Sequence, residues 1–314
     1  MATLETVDTT LADQHDVLNE QPRPRMSRFT LPALPRSGAM RVGIGIIAFF
    51  WFLAIFGPLF VHGDPHRVND NVPFAGPTAQ HWLGTTNLGQ DVLSQLIVGA
   101  RPTVFIGFIA GIAVTILSVA IGMTGGYLGG WVDEIVSFLS NVFLTIPGLP
   151  LMLLIASLTV RGPVTIVALI TFTGWAWGAR VMRAQTLSLR QRDFVQAARV
   201  NGENIFRILF FEILPNLAPI VVASFIFTTI GAIMAEAGLE FLGFGDQSII
   251  SWGTMLYFVQ NSGTLVEAWW WFLPPGLCIA LLGTALALIN YGLDSVVNPR
   301  LRAIPVEKTA KKAM

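Results

Sequence analysis

Six apolar stretches that run without an Asp, Glu, Lys or Arg set the pattern of the chain: 42–63, 102–132, 135–160, 162–179, 213–235 and 268–293. They are 22, 31, 26, 18, 23 and 26 residues long. Crossing the hydrocarbon of a membrane takes about 20 predominantly apolar residues as helix. The pattern therefore predicts an all-α membrane protein with six transmembrane helices. The fourth is the shortest, with Pro163 near its start. The first window follows about forty mostly polar residues, and "FGPLFVHGDPH" offers no small-x-small cleavage site, so it reads as a retained helix.

Arginine and lysine set the orientation, because cytoplasmic segments collect them. With both termini inside, residues 1–41, 180–212 and 295–314 hold sixteen basic residues, against Arg67, Arg101 and Arg161 outside. Both termini and the polar segment 180–212 are accordingly expected in the cytoplasm.

The segments between the windows differ in kind. Residues 1–40 turn from acidic to basic and Pro-rich and read as a disordered tail, and 303–314 as a short basic tail. A six-helix body spans 41–302. Its first outer loop, 62–101, begins with turn-rich "HGDPHRVNDNVPFAGP". In its second half Asn87 and Gln90 have capping-box spacing, and Val92, Leu93, Leu96, Ile97 and Ala100 share a helical face. That stretch reads equally as an amphipathic helix along the outer interface or as the start of the second span. The second outer segment, 236–267, is broken by glycines and acids and should be irregular or partly re-entrant. Trp269, Trp270 and Trp271 suggest an outer headgroup belt, and Trp175 and Trp177 an inner one.

Composition agrees with the windows: 53% of residues are apolar and 12% charged, and the mean hydropathy is +0.64. Zero net charge argues against nucleic acid as a partner. Cys278 is the single cysteine, so the chain forms no internal disulfide. The only lysines, Lys308, Lys311 and Lys312, lie in the C-terminal tail, so no phosphate loop with its Gly-Lys-Ser/Thr ending exists here. Glu236 and Glu240 fall just past the fifth window, and the span centres carry no ionisable group, which disfavours a carrier driven by ions. His62 and His66 are separated by Gly63 and Pro65, which spoil a helical metal site. No nucleophile–base pattern stands out, and no catalytic or metal residues are assigned.

One polar segment remains conspicuous. In "DFVQAARVNGENIFRILFFEILPN" (193–216), Asp193 can cap a short helix with Gln196 three residues on. Ala197 and Ala198 give it small residues, Gly202 breaks it, and a greasier helix leads to Pro215. Spacing alone leaves two readings level: an ordinary linker, or a helix pressed into a groove of a partner.

This segment resembles the signature loop of bacterial ABC importer permeases, with Ala197, Ala198, Gly202, Leu214 and Pro215 in register. Four more segments resemble the C-type permease of dipeptide, oligopeptide and nickel importers: "HWLGTTNLGQDVLSQLIVGARPT" (81–103), "GGYLGGWVDEIV" (125–136), "AEAGLEFLGFGDQSIISWGTML" (235–256) and "YGLDSVVNPRLR" (291–302). The likeness covers roughly 40–302. Departures are Gln196 for the usual Glu, Glu212 before Ile213, Gln90 and Gln95 for arginines, and Glu240 for Ser.

The resemblance implies a type I importer permease fold in the bacterial cell membrane. It implies a transport subunit for short peptides or similar solutes, with a nickel or metal-chelate importer, or a channel or secondary carrier, as alternatives. Implied partners are a second, homologous permease, two ATP-binding subunits that hold the ATP and magnesium, an extracytoplasmic solute-binding protein, and lipid. Implied contacts with the ATPase are Asp193, Phe194, Val195, Gln196, Ala197, Ala198, Arg199 and Gly202. Glu236, Glu240 and Trp252 are implied along the substrate path.

Overall fold

The computed structural model describes the backbone of residues 38–61, 64–68, 71–264 and 267–297, and the side chains of all but the last four of these. Both expected tails fall almost wholly outside the described residues, as does His62. Among the described residues nine helices follow in order. They are α1 (Gly38–Phe60), α2 (Val92–Leu128), α3 (Gly130–Thr145), α4 (Gly148–Ser157), α5 (Pro163–Leu189), α6 (Asp193–Val200), α7 (Ile205–Phe241), α8 (Trp252–Asn261) and α9 (Trp269–Val297). No strand occurs among the described residues; there is one isolated bridge, Thr85 to Asp91.

Five helices, α1, α2, α5, α7 and α9, are each long and apolar enough to cross a membrane. The sixth expected span is broken. Between α3 and α4 the chain bends by 86° at Ile146–Pro147. Proline lacks the N–H that would continue the helix, and its ring disfavours helical geometry at the residue before it, so α3 ends there. The pair still runs the length of α5. Asp133, at the start of α3, is bound bidentately by Arg183 near the end of α5, and Met152 and Leu153 of α4 pack with Ile166 and Ile170 near its beginning.

Three further boundaries are fixed by the structure. Of the two readings of 87–100 the second holds, a start of the second span, because α2 begins at Val92 and runs unbroken through Pro102 to Leu128. Its cap is Asp91, whose carboxylate accepts from the Ser94 amide and hydroxyl at 2.8 and 2.7 Å, and not the Asn87–Gln90 pair. At about 1.5 Å per residue, its 37 residues exceed the ~30 Å hydrocarbon layer, so one end stands clear of it. The polar stretch 180–212 is helical as far as Leu189. The charges that ended the fourth window are matched, Arg183 to Asp133 and Arg180 to the Asn141 side chain. Residues 236–241 belong to α7, so the irregular outer segment begins only at Leu242.

Small residues set the packing. A Cβ on Gly126 would meet the Arg183 carbonyl at 2.7 Å, and one on Gly178 the Ser118 hydroxyl at 2.5 Å, so α2 and α5 approach backbone to backbone. Between membrane helices such contact takes the place of the hydrophobic drive available in water. The Ser118 hydroxyl donates across it to the Trp175 carbonyl at 2.9 Å. Trp175 is consequently no belt residue: it is buried, edge-on to Phe143. Of the three tryptophans at the start of α9, Trp269 is exposed, Trp270 donates to the Thr85 carbonyl, and Trp271 is buried. The main core joins α1, α2, α7, α8 and α9 around Phe50, Trp252, Trp271 and Leu282. The outward faces, such as Phe49, Phe52 and Phe56 of α1, are apolar, as a lipid or partner contact requires.

Candidate functional site

At the end of the body formed by the α2–α3 turn and the close of α5, the chain leaves the bundle and forms α6. Asp193 is its first residue and not its cap; the cap position is Arg192, with no side-chain bond. An acid in the first turn still complements the positive end of the helix dipole. Gln196 instead reaches back to donate to the Arg190 carbonyl at 3.0 Å. The helix ends in a left-handed glycine, Gly202 at φ +74°, with the Glu203 amide bonded to the Ala198 carbonyl at 3.1 Å. That 6→1 closure is the Schellman arrangement, which favours glycine at this position. Asn204 then caps α7 by accepting from the Phe206 amide.

The two alanines of α6 do different things. Val195 and Ala198 are buried in a cluster with Met123 and Tyr127 of α2 and Ile208, Leu209, Ile213 and Leu217 of α7. Asp193, Phe194, Gln196 and Ala197 face outward, Arg199 is exposed along the edge that meets Tyr127, and Val200 is 87% exposed. The outward surface continues onto Phe206, Phe210 and Phe211.

Arg199 anchors this short helix. Its Nε donates to the Tyr127 hydroxyl at 3.2 Å, and its guanidinium lies 4.7 Å from the ring centroid. Arg190 donates to the Gly126 carbonyl at 3.2 Å. The helix is thus tied to α2 by packing and by two guanidinium contacts, while α7 follows it through a π turn at Ile208–Ile213. Tyr127 escaped the sequence reading. It lies in a recognisable segment, and only the fold brings it to a residue 72 positions away.

The three residues assigned to a substrate path also come together. Glu236 and Glu240, one turn apart on α7, are 0% and 4% exposed, and Trp252 at the start of α8 is fully buried against them and α2. The Ser251 hydroxyl donates to Glu240, the Trp252 amide donates to the Thr103 hydroxyl at 3.2 Å, and the Trp252 indole to the Leu96 carbonyl at 2.9 Å. In the single chain they form a closed joint and not an open wall. The larger apolar cleft nearby, about 760 Å³, is lined instead by residues such as Arg101, Phe105, Ile109, Val164 and Ile250. Among the described residues no group of three or more His, Cys, Asp or Glu side chains converges.

The chain matches, over residues 118–303, the family model described as "Binding-protein-dependent transport system inner membrane component". It is 33% identical over 279 residues to the dipeptide transport system permease protein DppC of Bacillus subtilis, covering 86% of this chain and 84% of that protein. It is 35% identical over 270 residues to DppC of Alkalihalophilus pseudofirmus, with 83% and 86% covered. To the oligopeptide transport system permease protein OppC of Bacillus subtilis it is 33% identical over 263 residues, with 83% and 85% covered. Among solved structures it superimposes on the inward-facing MetNI methionine ABC transporter with a TM-score of 0.53 at 19% identity, covering 65% of this chain and 95% of that one. That likeness supports the fold.

Proposed function

The chain belongs to the family of binding-protein-dependent transport system inner membrane components, multi-pass membrane proteins of ABC importers, and from that membership we propose that it is the permease subunit of a peptide importer. The curated relatives named for dipeptide and oligopeptide transport support short peptides as the solute. In this reading the chain forms half of a translocation path beside a second, homologous permease. An extracytoplasmic binding protein delivers the solute. Two separate ATP-binding subunits supply the energy, and this chain carries no ATP site or catalytic residue of its own.

One observation carries the mechanical part. α6 is fixed to the body on one face, through Val195, Ala198 and Arg199, and open on the other, through Asp193, Phe194, Gln196, Ala197 and Val200. A helix held in that way passes a push on its outer face directly to α2 and α7. Closure of the ATPases on ATP would shift α6, and the two long helices would turn the path from one side of the membrane to the other. Gly202 allows the sharp exit into α7 that such a lever needs.

The test is reconstitution. Proteoliposomes holding this chain, its paired permease and both ATPases should accumulate a labelled dipeptide when ATP and the binding protein are supplied together. Uptake that proceeds without ATP, or not at all with every subunit present, would overturn the reading.

A further inference from the structure

Glu236 and Glu240 are the only Asp, Glu, Lys, Arg or His side chains that are buried among the described residues. They differ in surroundings. Glu240 accepts from the Ser251 hydroxyl, whereas Glu236, 0% exposed, makes no well-formed hydrogen bond, with the Thr103 hydroxyl and the Glu240 carboxyl as the polar groups beside it. The space around the pair is closed. A Cβ on Gly245 would come within 2.7 Å of Glu240 Cγ, and one on Gly253 within 2.6 Å of Glu240 Oε2.

The walls offer no positive charge. From α2 comes the Thr103 hydroxyl, from the start of α8 Ser251 and Thr254, and from the loop between α7 and α8 one further acid, Asp246. The Ser248 hydroxyl and amide hold Asp246 below the usual carboxylate range, so it adds like charge. Val104, Ala237 and Met255 add apolar walls, and α1 and α9 bring Phe50, Trp271 and Leu282 to the same core.

A bare carboxylate in such a place, one turn from a second carboxyl, is disfavoured both by loss of water and by like-charge repulsion. Either a cation or a proton relieves this. A metal cation needs several oxygen ligands, and among the described residues no group of three or more His, Cys, Asp or Glu side chains converges here. A proton needs no added volume.

We propose that Glu236 and Glu240 form a proton-binding site, with the proton resident on Glu236 at neutral pH, and that this proton is the condition for α8 to seat on α7. The proton is taken from water as the joint closes and returns to water as it opens. Loss of the proton in the closed joint leaves a charge that only water can satisfy. Water enters only if α8 parts from α7 and α2.

The test uses the full chain in lipid nanodiscs. At neutral pH the infrared spectrum should show the carbonyl stretch of a protonated carboxyl, shifting down in heavy water. Glu240→Gln should keep that band and Glu236→Gln should abolish it. A wild-type spectrum without the band, a band that survives Glu236→Gln, or one lost in Glu240→Gln would overturn the assignment. Amide hydrogen exchange, corrected for its intrinsic pH dependence, tests the seating. Protection over 252–261 should fall at alkaline pH in the wild type and stay constant in Glu236→Gln, and an equal response in both overturns the latch. If Glu236→Gln does not reach the membrane, Glu236→Met, also neutral, carries the same two readings.

Discussion

Ala197 and Ala198 are neighbours in sequence and stand on different faces of α6: Ala198 is 8% exposed, packed with Val195 among Met123, Tyr127 and Ile208, while Ala197 is open to solvent. Tryptophan at the two positions should therefore fail in different ways. Ala198→Trp overpacks the chain's own cluster, which commonly costs about 1–3 kcal/mol. It should lower the melting temperature of the purified chain with no partner present. Ala197→Trp should leave that temperature unchanged and weaken copurification of the ATPase, tenfold for each ~1.4 kcal/mol lost at the contact. Equal destabilisation by both would show that α6 has no free face.

Tyr127 meets Arg199 twice, through its hydroxyl and through its ring. Tyr127→Phe removes only the hydroxyl, at a cost of about 1 kcal/mol. Tyr127→Ala also opens a cavity, and loss of a buried aromatic typically costs about 3–5 kcal/mol. Thermal denaturation of the purified chain should rank wild type, Phe and Ala in that order, with the wider gap between Phe and Ala. A wider gap between wild type and Phe would mean that the hydroxyl, not the packing, holds α6 in place.

Gly202 sits at φ +74° with nothing within 4 Å of a Cβ, so backbone conformation and not space restricts it. A left-handed conformation costs a non-glycine residue roughly 1–2 kcal/mol, and asparagine tolerates it best. Gly202→Ile should thus impair transport and increase proteolysis between α6 and α7, while Gly202→Asn retains most activity. Isoleucine performing as well as asparagine would remove the turn from the coupling path.

Five of the six expected spans were legible as single helices because a charge inside hydrocarbon is costly enough to leave its mark as an absence. What was lost followed from the same reasoning. A charge-free window does not register Pro147, so it missed the 86° bend between α3 and α4. It stopped at Arg180, although Arg183 is matched by Asp133, fifty residues away, and the helix runs on. It placed Glu236 and Glu240 outside the fifth span, whereas α7 carries both into a buried joint. Each miss is a long-range pairing or a burial that local pattern cannot show. For α6 the local signals of an acid in the first turn and a terminal glycine were sufficient to place the helix, but not to tell which alanine faces inward.

Orientation is the last expectation open to direct measurement, and three exposed residues decide it. Trp131 lies at the start of α3, Val160 between α4 and α5, and Val200 at the end of α6; they are 72%, 85% and 87% exposed. Arg183 binds Asp133, which puts the beginning of α3 beside the close of α5 and hence on the side of α6. Met152 and Leu153 pack near the opening of α5, at the other end. If the bent α3–α4 pair crosses the membrane, Trp131 and Val200 share one side and Val160 lies on the other. The sixteen-to-three basic asymmetry assigns Val200 to the cytoplasm. With Cys278 replaced by Ala, an impermeant maleimide on intact cells should label Val160→Cys and spare Trp131→Cys and Val200→Cys until the cells are permeabilised. Labelling of Trp131→Cys together with Val160→Cys would make α3 and α4 a re-entrant hairpin. Labelling of Trp131→Cys and Val200→Cys with Val160→Cys spared would invert the protein and place α6 beyond the reach of any cytoplasmic ATPase.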